Sequence, residues 1–160
     1  MKRTALLISF LFLLISVNAQ EEFPEVFNVS TEFKRIEIIR IQSGADFLKS
    51  LNLAVKEDSI KNGVILSGIG SVSEYHYHVV SSKNLPPDNE HTIASVPMDL
   101  TSVQGYILNQ RVHAHITLAD ENSVAGGHLE PGTKALTFII VTIGVLPDEL
   151  KIDKLDTYKH

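Results

Sequence analysis

Arg111-Val112-His113-Ala114-His115-Ile116-Thr117-Leu118 is the stretch around which the chain is organised. Val112, Ala114, Ile116 and Leu118 alternate with Arg111, His113, His115 and Thr117, a period of two that predicts a β-strand with one apolar and one polar face. His113 and His115 therefore project from the same side, away from the core. Farther on, Gly126-Gly127 immediately precedes His128. Two glycines permit a sharp bend, so the pattern predicts a loop that brings His128 back to the pair. Three imidazoles gathered in this way are the donor set of an open zinc site, with nitrogen-to-metal distances of about 2.0–2.1 Å. A solvated strand face carrying two histidines by chance fits the His-x-His spacing equally well. The return through two small residues favours the metal.

The run Val112-His113-Ala114-His115-Ile116-Thr117-Leu118-Ala119-Asp120, then Val124-Ala125-Gly126-Gly127-His128-Leu129, then Pro131-Gly132, resembles the signature of the plants-and-prokaryotes conserved (PPC) domain family. Upstream, the segment from Gly63 to Ser71 resembles the family's other recurrent motif, Ser-Gly-x-Gly-Ser after a helix. The resemblance runs from Glu32 to Gly144. It implies a compact α/β-type sandwich that assembles as a homotrimer, with Gly68 and Gly70 at close-packing and turn positions beside the subunit contact. In plants the domain is attached to AT-hook DNA-binding segments; in prokaryotes it stands alone. A distantly similar fold occurs in acetolactate decarboxylase, which also holds zinc on three histidines, so a zinc-dependent lyase or hydrolase is one function the resemblance implies.

At the start of the chain, Lys2 and Arg3 precede an apolar run, Ala5 to Val17, which ends in Val17-Asn18-Ala19. This reads as a secretory signal peptide over residues 1–19, cut before Gln20. The run is shorter than the about 20 residues of a spanning helix, so no membrane span is expected after cleavage, and the product is expected in the periplasm or the medium. Removing Lys2 and Arg3 takes the formal charge from −5 to −7 over the remaining 141 residues, enough chain for one domain with a core of its own. With no cysteine, packing or assembly must stabilise the fold without disulfides.

Residues 20–32 read as a loose arm, 33–146 as the domain and 147–160 as a charged tail that either adds a strand or frays. Within the domain, Phe33 to Ile41 suggests a first strand. Ser43 and Asp46 have capping-box spacing, and Phe47, Leu48, Leu51, Ala54 and Val55 follow at helical spacing. The pattern predicts one long amphipathic helix of four to five turns closed by Asn62-Gly63. Val64 to Ile69 reads as a short buried strand, and Ser73 to Val80 as another, with Glu74, His76 and His78 on one side. No third ligand follows that second His-x-His nearby, and a solvated face is the simpler reading. Thr92 to Val96 suggests an edge strand, and Asn109-Gln110 a tight hairpin turn. Ala135 to Leu146 is apolar enough for a central strand covered on both faces. The layout is α+β, an antiparallel or mixed sheet sandwich with one long helix.

Composition and motifs narrow the function. An acidic chain without the Gly-Arg-Pro core of an AT-hook is not expected to bind nucleic acid. Gly105, His113, His115, Glu121 and Gly127 approach a cupin motif, but at the wrong intervals. The expectation is a metal-binding domain with zinc or a similar divalent ion on His113, His115 and His128, open to a small anionic ligand. Arg111, on the same strand face, either holds that ligand's carboxylate or pairs with a surface acid. Asp120, Glu121 and Glu130 are the nearby carboxylates from which a general base would come.

Overall fold

A computed structural model describes residues 25–157; the signal peptide expected over residues 1–19 lies outside them. The elements are β1 (Arg35–Gln42), α1 (Phe47–Glu57), β2 (Asn62–Val80), β3 (Asn89–Ala94), β4 (Met98–Leu108), β5 (Arg111–Ala119), β6 (Val124–Leu129) and β7 (Lys134–Leu146). All seven strands belong to one sheet, ordered β1-β7-β2-β4-β5-β6, with β3 beside β2 and an added pairing of β2 with β6 that curls the sheet back on itself. Every pairing is antiparallel. The expected α+β class stands, but the sandwich of an antiparallel or mixed sheet is here a single curled antiparallel sheet.

The helix is shorter than its pattern suggested. Its apolar stripe ends at Val55, and Phe47, Leu51 and Val55 are fully buried, each worth roughly 1.5–3 kcal/mol of removal from water. Asp46, not Ser43, is the N-cap, accepting from Lys49 N at 3.0 Å; the Ser43 hydroxyl instead donates to Leu136 O. At the other end Ser59 takes the left-handed conformation (φ 53°). Ile60 N then donates to Val55 O at 2.9 Å and Ser59 N to Lys56 O at 3.2 Å, a Schellman closure. The left-handed closing residue is thus a serine, and Asn62-Gly63, the expected cap, begins β2. Among the described residues no helix is long and apolar enough to cross a membrane.

The two short strands expected at Val64–Ile69 and Ser73–Val80 are one strand of 19 residues, β2. Register shifts at Ile65/Ser67, Gly70/Val72 and Val72/Glu74 bend it, as bulges do. Its first half lies between β7 and β4 and its second half between β3 and β6. Gly68 and Gly70 are inside this strand, not at a turn; a Cβ on Gly68 would lie 2.4 Å from Val103. The tight turn at Asn109-Gln110 is present, with φ of 50° and 65°, as a two-residue hairpin requires.

Strand β7 is central, but the expectation of cover on both faces is only half met. Ile139, Val141 and Ile143 are buried beneath α1, whereas Leu136 and Phe138 on the alternate face are exposed. The tail neither adds a strand nor hangs free over its described part. Ile152 is buried with Leu108 and Leu146. The buried Asn62 side chain donates to Pro147 O at 3.1 Å and Leu150 O at 3.0 Å. Those two contacts run the tail past the start of β5.

Candidate metal centre

The strand β5 has the two faces its alternation demands. Val112, Ala114, Ile116 and Leu118 are buried, while Arg111, His115 and Thr117 are exposed and His113 is half-buried. The route to His128 differs from expectation. The chain reverses at Asp120–Ser123, where the Asp120 carboxylate accepts from Asn122 N, Ser123 N and the Ser123 hydroxyl at 2.7–3.0 Å. These donors, the Asn122 amide foremost, hold Asp120 below the usual carboxylate range. Gly126 and Gly127 are extended residues inside β6 rather than a bend. Glycine is needed there for close approach: a Cβ on Gly126 would fall 2.2 Å from Ile116 O, and one on Gly127 2.4 Å from His78 O.

With β6 held tightly between β5 and β2, strand register aligns the histidines. His91 on β3 is opposite His78 on β2, His78 is opposite His128 on β6, and His128 is opposite His115 on β5. His76 and His113 lie two residues from this row on their own strands, hence on the same face. The rings touch in sequence, with centroids 5.2 Å apart for His91 and His78, 4.6 Å for His78 and His128, and 5.2 Å for His128 and His115. Of the seven histidines in the chain, His160 lies outside the described residues; the other six form this one array.

Two groups in the array bring donor atoms within 4.8 Å of one another: His113 with His115 and His128, and His78 with His91 and Glu130. The first is the trio expected from the sequence. The second was not expected, because His91 and Glu130 reach His78 only through the pairing of β2 with β3 and β6. Its sole signal in the sequence was the His76-Tyr77-His78 alternation.

Hydrogen bonds set which ring nitrogen is free. Asp156, from the tail, lies 2.7 Å from His113 Nδ1. Arg111 donates to the same carboxylate from both terminal nitrogens, at 2.7 Å and 2.8 Å. The hydrogen bond from Arg111, with a second from His113, draws the Asp156 pKa down to about 2. An ionised carboxylate only accepts, so His113 Nδ1 donates and its Nε2 keeps a lone pair for a ligand. Burial, and then the neighbouring His113 and His78, lowers the His115 pKa. Burial followed by His113, His78 and His115 pushes His128 down to about 4. Both rings are therefore neutral near pH 7, the form that binds metal.

Arg111 is thus bound to an acid of the chain itself, the second of its two sequence readings. Of the three carboxylates considered for a base, Asp120 is committed to its turn and Glu121 is exposed beside it. Glu130 faces the histidines, 2.7 Å from His78 Nδ1. Asp156 has no signal in the sequence, since nothing in the weakly patterned tail points to His113.

The family model of the Plants and Prokaryotes Conserved (PCC) domain matches residues 29–147. A PPC protein from Pyrococcus horikoshii has a similar structure, with a TM-score of 0.66 at 22% identity over 78% of this chain and 87% of that one. So does the metal-containing protein AF0104 from Archaeoglobus fulgidus, with a TM-score of 0.66 at 19% identity over 76% and 86%. Among curated proteins, the bifunctional protein GlmU of a Synechococcus strain is 26% identical over 118 residues, 73% of this chain. The chain spans 18% of that relative's length. The matching motifs, the matched span and the shared fold agree: the chain belongs to the Plants and Prokaryotes Conserved domain family.

Proposed function

We propose that His113, His115 and His128 hold one divalent cation, zinc or a close analogue, with a position left open to a small anionic ligand. The observation that carries this is the convergence of three imidazole donors within 4.8 Å, with His113 turned by Asp156 to offer Nε2. A carboxylate behind a ligating imidazole is a recurrent feature of metal sites. The metal-containing Archaeoglobus relative, similar in fold, adds weight. Three neutral nitrogens leave the ion's double charge uncompensated, which favours an anion. Bound zinc with an open position supplies a Lewis acid and brings the pKa of its water down to about 7. Arg111 serves this site through Asp156, keeping it ionised, and meets an anion only if that pair opens.

The same reading includes a homotrimer, exported after loss of residues 1–19. Ile36 and Ile38 on β1, Ile69 on β2 and Phe138 on β7 lie on the side of the sheet away from α1. They leave an apolar strip uncovered, with Ile38 72% exposed, and such a strip suits a subunit contact. A formal charge of −5 does not favour DNA binding.

Zinc content of the purified protein tests the metal reading. His113→Ala loses the ion of the three-histidine group, whereas His76→Ala retains it. Equal zinc at that group in the wild type and a His113→Ala, His128→Ala double variant removes the reading. Light scattering that gives a monomer at micromolar concentration removes the trimer, and an intact mass that retains residues 1–19 removes the cleavage.

A further inference from the structure

We propose that His78, His91 and Glu130 form a second, separate site for a divalent first-row transition ion beside the three-histidine group. The two groups share no donor, so this site does not rest on the first.

Three observations carry it. The donor atoms of His78, His91 and Glu130 lie within 4.8 Å of one another; His78 and His91 face each other across β2 and β3, and Glu130 directly follows β6, which pairs with β2. Second, a chain of hydrogen bonds fixes the ring nitrogens. His76 Nδ1 is 2.8 Å from Pro131 O. A carbonyl can only accept, so His76 Nδ1 donates and, in the neutral ring, His76 Nε2 accepts. His91 Nδ1, 2.9 Å from His76 Nε2, must then be the donor, and the lone pair of His91 falls on Nε2. Third, His78 Nδ1 and a Glu130 carboxylate oxygen face each other at 2.7 Å, so an ion that takes the place of their shared proton meets both donors. His91 thus presents the nitrogen opposite its hydrogen-bonded one, as ligating histidines do, and His78 offers Nδ1, the nitrogen beside Glu130. His76 is a positioning residue: it ligates nothing and turns His91.

Two imidazoles and a carboxylate suit zinc and the neighbouring first-row ions. The carboxylate also distinguishes the pair of sites. An ion here loses one of its two charges to Glu130, whereas an ion on His113, His115 and His128 keeps both. The stacked rings of His78 and His128, one from each group, have centroids 4.6 Å apart, so the two ions are neighbours on one face of the sheet.

Equilibrium dialysis against buffered low-micromolar zinc, followed by elemental analysis, tests the site with Zn²⁺ itself as probe. The wild type should hold two equivalents per chain. His91→Ala and Glu130→Gln should each hold one, and His113→Ala should also hold one, the other. His91 is exposed on an outer strand, so its replacement leaves the core untouched, and a wild-type far-UV spectrum would verify this. His76→Ala should bind the second ion about 10- to 100-fold more weakly without abolishing it. A wild type with one equivalent that His113→Ala removes overturns the second site and leaves the first standing. Two equivalents persisting in both His91→Ala and Glu130→Gln overturn it as well. One equivalent lost in His91→Ala but kept in His113→Ala supports the second site and sinks the three-histidine reading instead.

Discussion

The two halves of the histidine array are built from similar side chains and reach their geometry in different ways. His113, His115 and His128 come from consecutive strands joined by a short reversal, so neighbours in sequence become neighbours in space. His78 and His91 come from β2 and β3, and Glu130 directly follows β6, which meets β2 only because the sheet curls back. The supporting groups differ too. His113 is oriented by a carboxylate from the docked tail, whereas His91 is oriented through another histidine by a backbone carbonyl. A local motif can be recognised from spacing alone, while an equally convergent group is invisible until strand pairing is known.

The strongest way to break this comparison is to push β6 away from its neighbours, since β6 carries His128 and leads directly into Glu130. Gly126→Ala places a methyl group 2.2 Å from Ile116 O, a backbone atom that cannot move aside without unzipping the pair. The expected cost is on the order of 3 kcal/mol of stability, read as a fall in the denaturant midpoint, with zinc lost from both groups together. An unchanged midpoint with full zinc would show that β6 does not hold the array.

Asp156→Asn should separate the two halves. It removes the ionised carboxylate behind His113 and should weaken zinc there by about 10- to 100-fold, measured by chelator competition. The group around His78 should be unaffected. Equal weakening of both would mean that the tail acts on the whole face.

Proton linkage is expected to be more modest, because His128 is only half-buried. Its pKa in the folded, metal-free protein is about 4, against 6.5 unperturbed. Between those values the unfolded chain binds more protons, so stability falls as pH drops from 6.5 toward 4. Asp156, lowered to about 2 from 3.8, works in the same direction further down, with its contribution lost as pH falls through that lower range. Thermal melts of chelator-treated protein should show the upper step, and His128→Gln should flatten it. A melting temperature constant from pH 6.5 to 4 would contradict the assignment.

Arg111→Ala should have the smallest effect. Its side chain is 55% exposed in the pair with Asp156, and such pairs contribute about 0–1 kcal/mol. The midpoint should barely move, and zinc affinity at the three-histidine group should drop less than in Asp156→Asn. A larger loss than in Asp156→Asn would give Arg111 a direct part in ligand binding.

Much of this architecture was legible beforehand for simple reasons. The alternation from Val112 to Leu118 reports a half-buried strand, because side chains of an extended chain point alternately to its two faces. The helix was legible in its stripe but not in its end, since Ser59 adopts a conformation usually left to glycine. The single strand β2 looked like two, because bulges interrupt its pattern without breaking its pairing.

By itself, the sequence determined the family, the strand of His113 and His115, the apolar positions of α1 and the acidic charge. Each follows from local periodicity, composition or motif. The tertiary structure alone decided the rest. The register of β3, β2, β6 and β5 lines up four histidines, the glycines of β6 permit its close approach, and the Asn62 contacts bring Asp156 to His113. Such pairings join residues far apart in the chain, and the shape of the core that selects them is a property of all the strands together.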